Sequence, residues 1–230
     1  DLFKRLSYGE LSNLSIGEEG SGEIATNSKA KIIEYANDGL ARLFGRFVLK
    51  EKVLTLIQET SVTKYHLSNK HALTNTMGPL TDIRYIHDHD HDPFNDDLLR
   101  ILCVYAADGS PYPLNDRHDP FSLFTPQFNI LQVPNPNHGY PVFISYQAKH
   151  DELDHLNEQM MINIPFVLEA ALISYIAHKV FFHMNGQDNA TKAAGHYNNY
   201  EAICFDVLDK DLVSNSISTS NLKFEINGWS

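Results

Sequence analysis

The stretch INIPFVLEAALISYIAHKVFFHMN, Ile162 to Asn185, decides how this chain folds. Its apolar residues occupy nearly the whole circumference of a helix, so a helix built from it needs cover on several sides. Ala170, Ala171, Ser174 and Ala177 keep one side thin enough for a neighbour to come close. About twenty residues at 1.5 Å each give a rod of roughly 30 Å. Pro165 fits the first turn, where its missing N–H is not needed. The run Ile162 to Phe182 is long enough to cross a bilayer, but it carries Glu169, His178 and Lys179, and we read it as no membrane span.

C-terminal to it, Gly186 breaks the pattern and a further helix is expected from about Asn189 to Leu212. Ala193, Tyr197, Tyr200, Cys204 and Val207 form its stripe. Near the N-terminus, Ile32, Ile33, Ala36, Leu40, Leu43, Phe44 and Phe47 recur every three or four residues. This spacing marks a one-sided helix over Lys29 to Phe47, with Thr26, Asn27 or Ser28 as its cap. Leu2, Phe3 and Leu6 point to a short first helix, ended by the glycines of Ile16 to Gly22.

Between Lys52 and His150 the helical period disappears. VLTLIQETSVTKYHL, TDIRYIH, LLRILCVYA, FNILQV and PVFISYQA read as five strands separated by Pro, Gly, Asn and Asp, and PNPNHGYP reads as a hairpin loop joining the last two. The expected fold class is therefore α+β: a four-helix bundle (1–50 and 155–213) with an antiparallel sheet or sandwich (51–154) inserted between the second and third helices. An extended C-terminal tail (214–230) follows.

Of the 230 residues, 43% are apolar, enough for one sizeable core or two smaller ones. Eighteen Lys and Arg against twenty-nine Asp and Glu give a formal charge of −11, a balance that repels nucleic acid and anionic lipid. Cys103 and Cys204 stand in apolar stretches without metal or redox spacing, and both read as reduced core residues. The opening DLFKRLSYGE has no apolar signal region, so no secretory signal is expected.

YIHDHDHDPFNDD, Tyr85 to Asp97, alternates three histidines with three aspartates. Were it extended, His87, His89 and His91 would share one face and Asp88, Asp90 and Asp92 the other, a geometry that suits zinc or nickel. The run lacks the H-x-H-x-D-H order of metallo-β-lactamases and the βα alternation such enzymes need, and it reads as a solvated loop. HDELDHL, His150 to Leu156, matches no hydrolase signature, so His150, Asp154 and His155 read as turn residues. No nucleophile elbow, Walker loop, dinucleotide fingerprint or activated cysteine is present; GEEGSGE reads as a loop. His178, His183 and His196 read as core or interface histidines, and Phe181, Phe182, Tyr197 and Tyr200 as packing.

LSYGELSNLSIG, GEI and IIEYANDGLARLFGRFVLKEK at one end, with INIPFVLEAALISYIAHKVFFHMN, AAGHYNNYEAICFDV and KFEINGW at the other, resemble the head-to-tail connector (adaptor) proteins of tailed bacteriophages. Short-tailed phages call their relatives tail tubular proteins. The likeness is good at both helical ends and loose over the β-insert. It implies a virion protein of the neck, made in the host cytoplasm. There a ring, usually dodecameric, docks under the portal and joins capsid to tail around the channel through which double-stranded DNA passes unbound. Its implied partners are the portal protein, other copies of itself, and tail, nozzle or other neck proteins. It implies no membrane, no enzyme activity, and no catalytic, cofactor or metal residue. The docking residues it implies are Leu222, Phe224, Ile226 and Trp229 of the tail.

Two other readings stand beside it. One is a metal-dependent hydrolase using His87, His89, His91 and His150. The other is a β-sandwich glycan-binding module on a helical stalk, with Tyr112, Phe121 and Phe124 as its aromatic candidates.

Overall fold

The computed structural model of the protein describes residues 26–75, 83–154, 161–184 and 186–213. The chain divides into two compact units: Val48–Asp151, which holds the strands, and a helical unit drawn from the segments on either side of it.

In the first unit, β1 (Glu51–Ile57), β3 (Ile86–His87), β4 (Leu98–Tyr105) and β7 (Pro141–Ala148) form a sheet in the order β3-β1-β7-β4. A second sheet has the order β2-β6-β5, from β2 (Lys64–His66), β5 (Phe124–Gln127) and β6 (Ile130–Gln132). Both are antiparallel throughout. Register follows the alternation of side chains: Leu54 faces Ile144 and Leu56 faces Val142 across β1 and β7, and all four are buried. Tyr65 faces Leu131 across β2 and β6, and both join the same core as Val104 and Tyr146. The two sheets thus share one core. Buried tyrosines fit it because their hydroxyls are satisfied. Tyr85 Oη accepts from the His66 N–H and donates to the His66 carbonyl, both at 2.9 Å, and Tyr65 Oη does the same with Glu59.

In the helical unit, α1 (Thr26–Arg46), α2 (Phe166–Phe182) and α3 (Gln187–Asp209) pack together. Ile32, Ala36, Leu40, Leu43, Phe44 and Phe47 of the α1 stripe are buried, as the spacing requires. At Gly39 the backbone of α1 comes so close to α2 that an added Cβ would lie 2.7 Å from Leu172 Cδ1. Asp38 pairs with Lys179 at 2.9 Å and Arg46 with Glu201 at 2.8 Å, while Arg42 lies over the Tyr175 ring. The α2–α3 pair is antiparallel: Tyr175 meets Tyr200, His178 meets Tyr197, and Phe181 stacks on His196. Ser174 accepts a 2.8 Å hydrogen bond from Asn199 where the small residues thin the helix.

The expected four-helix bundle is not present. Among the described residues there are three helices and seven strands in two antiparallel sheets. The helix expected from Leu2, Phe3 and Leu6, and the tail 214–230, lie outside the described residues. VLTLIQETSVTKYHL is not one strand but two, β1 and β2, in different sheets. The chain turns between them, with the Val62 N–H bonded to the Glu59 carbonyl. PNPNHGYP is not a hairpin loop, because β6 and β7 belong to different sheets; the true hairpin there joins β5 to β6. Pro165 precedes α2 instead of lying inside its first turn. Cys204 is buried, but Cys103 is exposed, because it alternates with the buried Val104 on β4 and so faces away from the core.

Candidate functional site

The His/Asp run is not extended. His87 ends β3 opposite Thr55, and the chain then reverses over His89 to Asp92, closed by a 3.0 Å bond from the Asp92 N–H to the His89 carbonyl. The one-face arrangement of imidazoles therefore fails at Asp90 and His91. Asp88 does not face solvent with the other acids. It accepts the Thr74 N–H at 3.0 Å, the Thr74 hydroxyl, and the Phe94 N–H at 3.0 Å. Its partial burial alone would raise the carboxyl's pKa, but the hydrogen bonds from Thr74 and Phe94 outweigh it and hold the group below the usual aspartate value.

Asp92 and Asp97 serve a second anchor. Lys52 Nζ lies 2.7 Å from Asp92 Oδ1 and 3.2 Å from Asp97 Oδ2, and the Tyr146 hydroxyl donates to Asp97 Oδ1 at 2.9 Å. Burial opposes the charge on Lys52, yet Asp92 and Asp97 together raise its pKa above the ordinary lysine value. Burial first, then the neighbouring Asp97 charge, drives the Tyr146 hydroxyl upward, so it stays a donor. The run thus pins the segment between β3 and β4 to β1 and β7. Asp96, at φ 54, turns the chain within it and accepts the Asn69 N–H. Among the described residues no group of three or more His, Cys, Asp or Glu is placed to hold a metal ion.

His150 Nδ1 lies 3.0 Å from the Asp151 carbonyl, and Asp151 pairs with Lys50 at 2.8 Å within the strand unit. In the helical unit Leu153 is held by Asn37 through two bonds, at 2.9 and 3.0 Å. Asp154 is described, whereas His155 and Leu156 lie outside the described residues. These positions tie down the exit from β7.

His178 and His196 lie half-buried between α2 and α3, whereas His183 caps the end of α2 and is exposed. His178 Nδ1 donates to the Ala193 carbonyl at 3.0 Å among Tyr175, Phe182 and Tyr197. His183 stacks on Tyr35 and His196 on Phe181. Tyr200 and Phe181 are buried, but Phe182 is 66% exposed and does not serve as core packing. The aromatic trio Tyr112, Phe121 and Phe124 is not gathered into a platform. Tyr112 packs half-buried against the core, Phe124 lies on β5, and Phe121 stands 75% exposed on a loop.

What residue-by-residue reading misses is the apolar surface left open on the helical unit. Phe166 is 78% exposed and Phe205 65%, with Met161, Val167, Leu208 and Leu212 also in solvent. The signal for it was present: α2 is apolar on nearly all sides, and α1 and α3 cover only two of them. Leu222, Phe224, Ile226 and Trp229 lie outside the described residues. Among the described residues no helix is long and apolar enough to cross a membrane. Compared with known proteins, the chain matches no family model and no curated sequence.

Proposed function

We propose that the chain is a structural subunit of a head-to-tail connector in a tailed bacteriophage. In this reading it forms a ring, a dodecamer in the family it resembles, that docks under the portal and surrounds the DNA exit channel. The observation that carries the reading is the set of large apolar side chains left in solvent on the helical unit, Phe166, Phe182 and Phe205 among them. Single exposed leucines are ordinary, but several exposed phenylalanines on one small unit mark a surface awaiting a partner. The charge of −11 per chain supports the same reading, because a ring of such subunits lets DNA slide past without sticking.

Its role here is assembly, with no substrate, cofactor or metal. The His/Asp run supports that reading, since two of its three aspartates are spent on the Thr74, Phe94 and Lys52 anchors. Leu222, Phe224, Ile226 and Trp229 are proposed to grip the portal, because apolar side chains on an unperiodic tail need a partner surface. The test is a pull-down on isolated portal rings with the intact chain and with a variant lacking Asn221 to Ser230. Binding by the intact chain, lost in the variant with its helical circular dichroism unchanged, is the expected result. Failure of the intact chain to bind removes the connector reading; equal binding by both removes the tail residues from it.

A further inference from the structure

Phe205 and Leu208 are neighbours three residues apart on the last turns of α3, and both stand in solvent, Phe205 at 65% and Leu208 at 49% exposure. Beyond the helix, Leu212 is exposed as well. The ring contacts Tyr175–Tyr200 and Phe181–His196 set α2 antiparallel to α3, so the start of α2 lies level with the end of α3 and adds Phe166 and Val167 to the same end.

The charges on this end have one dominant sign. The chain runs Phe205-Asp206-Val207-Leu208-Asp209-Lys210-Asp211-Leu212, three aspartates to a single lysine, and Lys210 is already paired with Asp206 at 2.7 Å. A helix C-terminus is the negative end of its dipole, where acids are unfavourable, and α3 has no basic residue in its last turn. Asp211 carries a second cost. The Asp211 N–H bonds to the Leu208 carbonyl and the Leu212 N–H to the Val207 carbonyl, the pattern of a Schellman cap, with Asp211 at φ 53 where glycine is usual.

We propose that this end of the α2–α3 hairpin is a docking surface for a basic amphipathic helix of another protein. Such a helix lays apolar side chains on Phe205, Leu208 and Phe166 while its lysines or arginines meet Asp206, Asp209 and Asp211. Charge selects this occupant over the chain's own segments and over a second copy. Residues 1–25 are net acidic, residues 214–230 set Lys223 against Glu225, and a second copy brings a charge of −11. The surface draws on the same exposed Phe166 and Phe205 as the connector reading but requires no ring, and portal binding plays no part in its test.

The test uses the full chain and a fluorescent synthetic helix with leucines on one face and lysines on the other, beside the same peptide with glutamate for lysine. Anisotropy is expected to show binding of the lysine form alone. Affinity should fall at least about tenfold in Phe205→Ser/Leu208→Ser and again in Asp206→Asn/Asp209→Asn, and stay unchanged in Asp90→Asn on the strand unit. In the unsubstituted chain, amide exchange should slow at residues 201–212 when the lysine peptide is added, a readout that needs no variant to fold. Equal binding of both peptides, equal loss on Asp90→Asn, or unchanged exchange at 201–212 overturns the proposal. So does self-association in sedimentation that Phe205→Ser abolishes, since the occupant is then a second copy.

Discussion

At Gly39 a methyl group has nowhere to go: it would sit 2.7 Å from Leu172 Cδ1 and 2.9 Å from Tyr175 Cδ1, and both side chains are buried. Overpacking of this kind costs about 1–3 kcal/mol, which outweighs the roughly 1 kcal/mol that alanine gains over glycine inside a helix. Gly39→Ala is therefore expected to lower stability in urea unfolding. Gly45, on the same helix with nothing within 4 Å of its added Cβ, is the control: Gly45→Ala should raise stability by up to about 1 kcal/mol. Asp88 is a second residue-scale test. Its folded pKa is lowered, so its contribution is complete above the ordinary aspartate range and disappears as pH falls through the lower folded value. Asp88→Asn should cost about 1 kcal/mol at neutral pH, because hydrogen bonds to a charged acceptor are the stronger ones. In acid, where wild-type Asp88 is itself protonated, the gap between the two should close. A gap that persists at low pH would mean the carboxylate's charge is not what anchors Thr74 and Phe94.

For the elements, the helices were legible and the sheets only in part. The stripe from Ile32 to Phe47 and the run around Ile162 to Asn185 carry their period in plain view, and observed α1, α2 and α3 begin and end within a few residues of it. Strand partners were not legible, because alternation tells which face is buried and says nothing of which strand lies alongside. VLTLIQETSVTKYHL therefore reads as one strand across the turn at Glu59, and FNILQV reads as the hairpin partner of PVFISYQA, whereas β6 pairs with β2 and β5. β5 is absent from the five strands read in the sequence; its FTPQ holds Pro126, acceptable there because β5 is an edge strand. The candidate site was hidden for a related reason. Asp88 and Asp92 look identical in sequence, and only the fold sends one to backbone N–H groups and the other to Lys52. The Lys52–Asp97–Tyr146 link ties the segment before β4 to both β1 and β7. Asp97→Ala should cost about 2–3 kcal/mol in urea unfolding, because it strands the buried Tyr146 hydroxyl and half of the Lys52 pairing. Tyr146→Phe, which leaves Asp97 on Lys52, should cost only about 1 kcal/mol.

For the whole molecule, the exposed apolar residues of the helical unit and the charge of −11 are the two properties no single residue reveals. They are the two properties on which the proposed assembly role rests, since exposed apolar surface favours association and negative charge repels DNA. Attachment driven by apolar burial should survive high salt, whereas the lysine-peptide contact at the end of α3 should weaken steeply in the same buffer. The role proposed for this chain is that of a passive ring component beneath a portal. Electron micrographs of portal-containing phage heads, taken with and without the purified chain, test it most directly. An added ring of density coaxial with the portal is the predicted result; heads that look the same with and without the chain would contradict it.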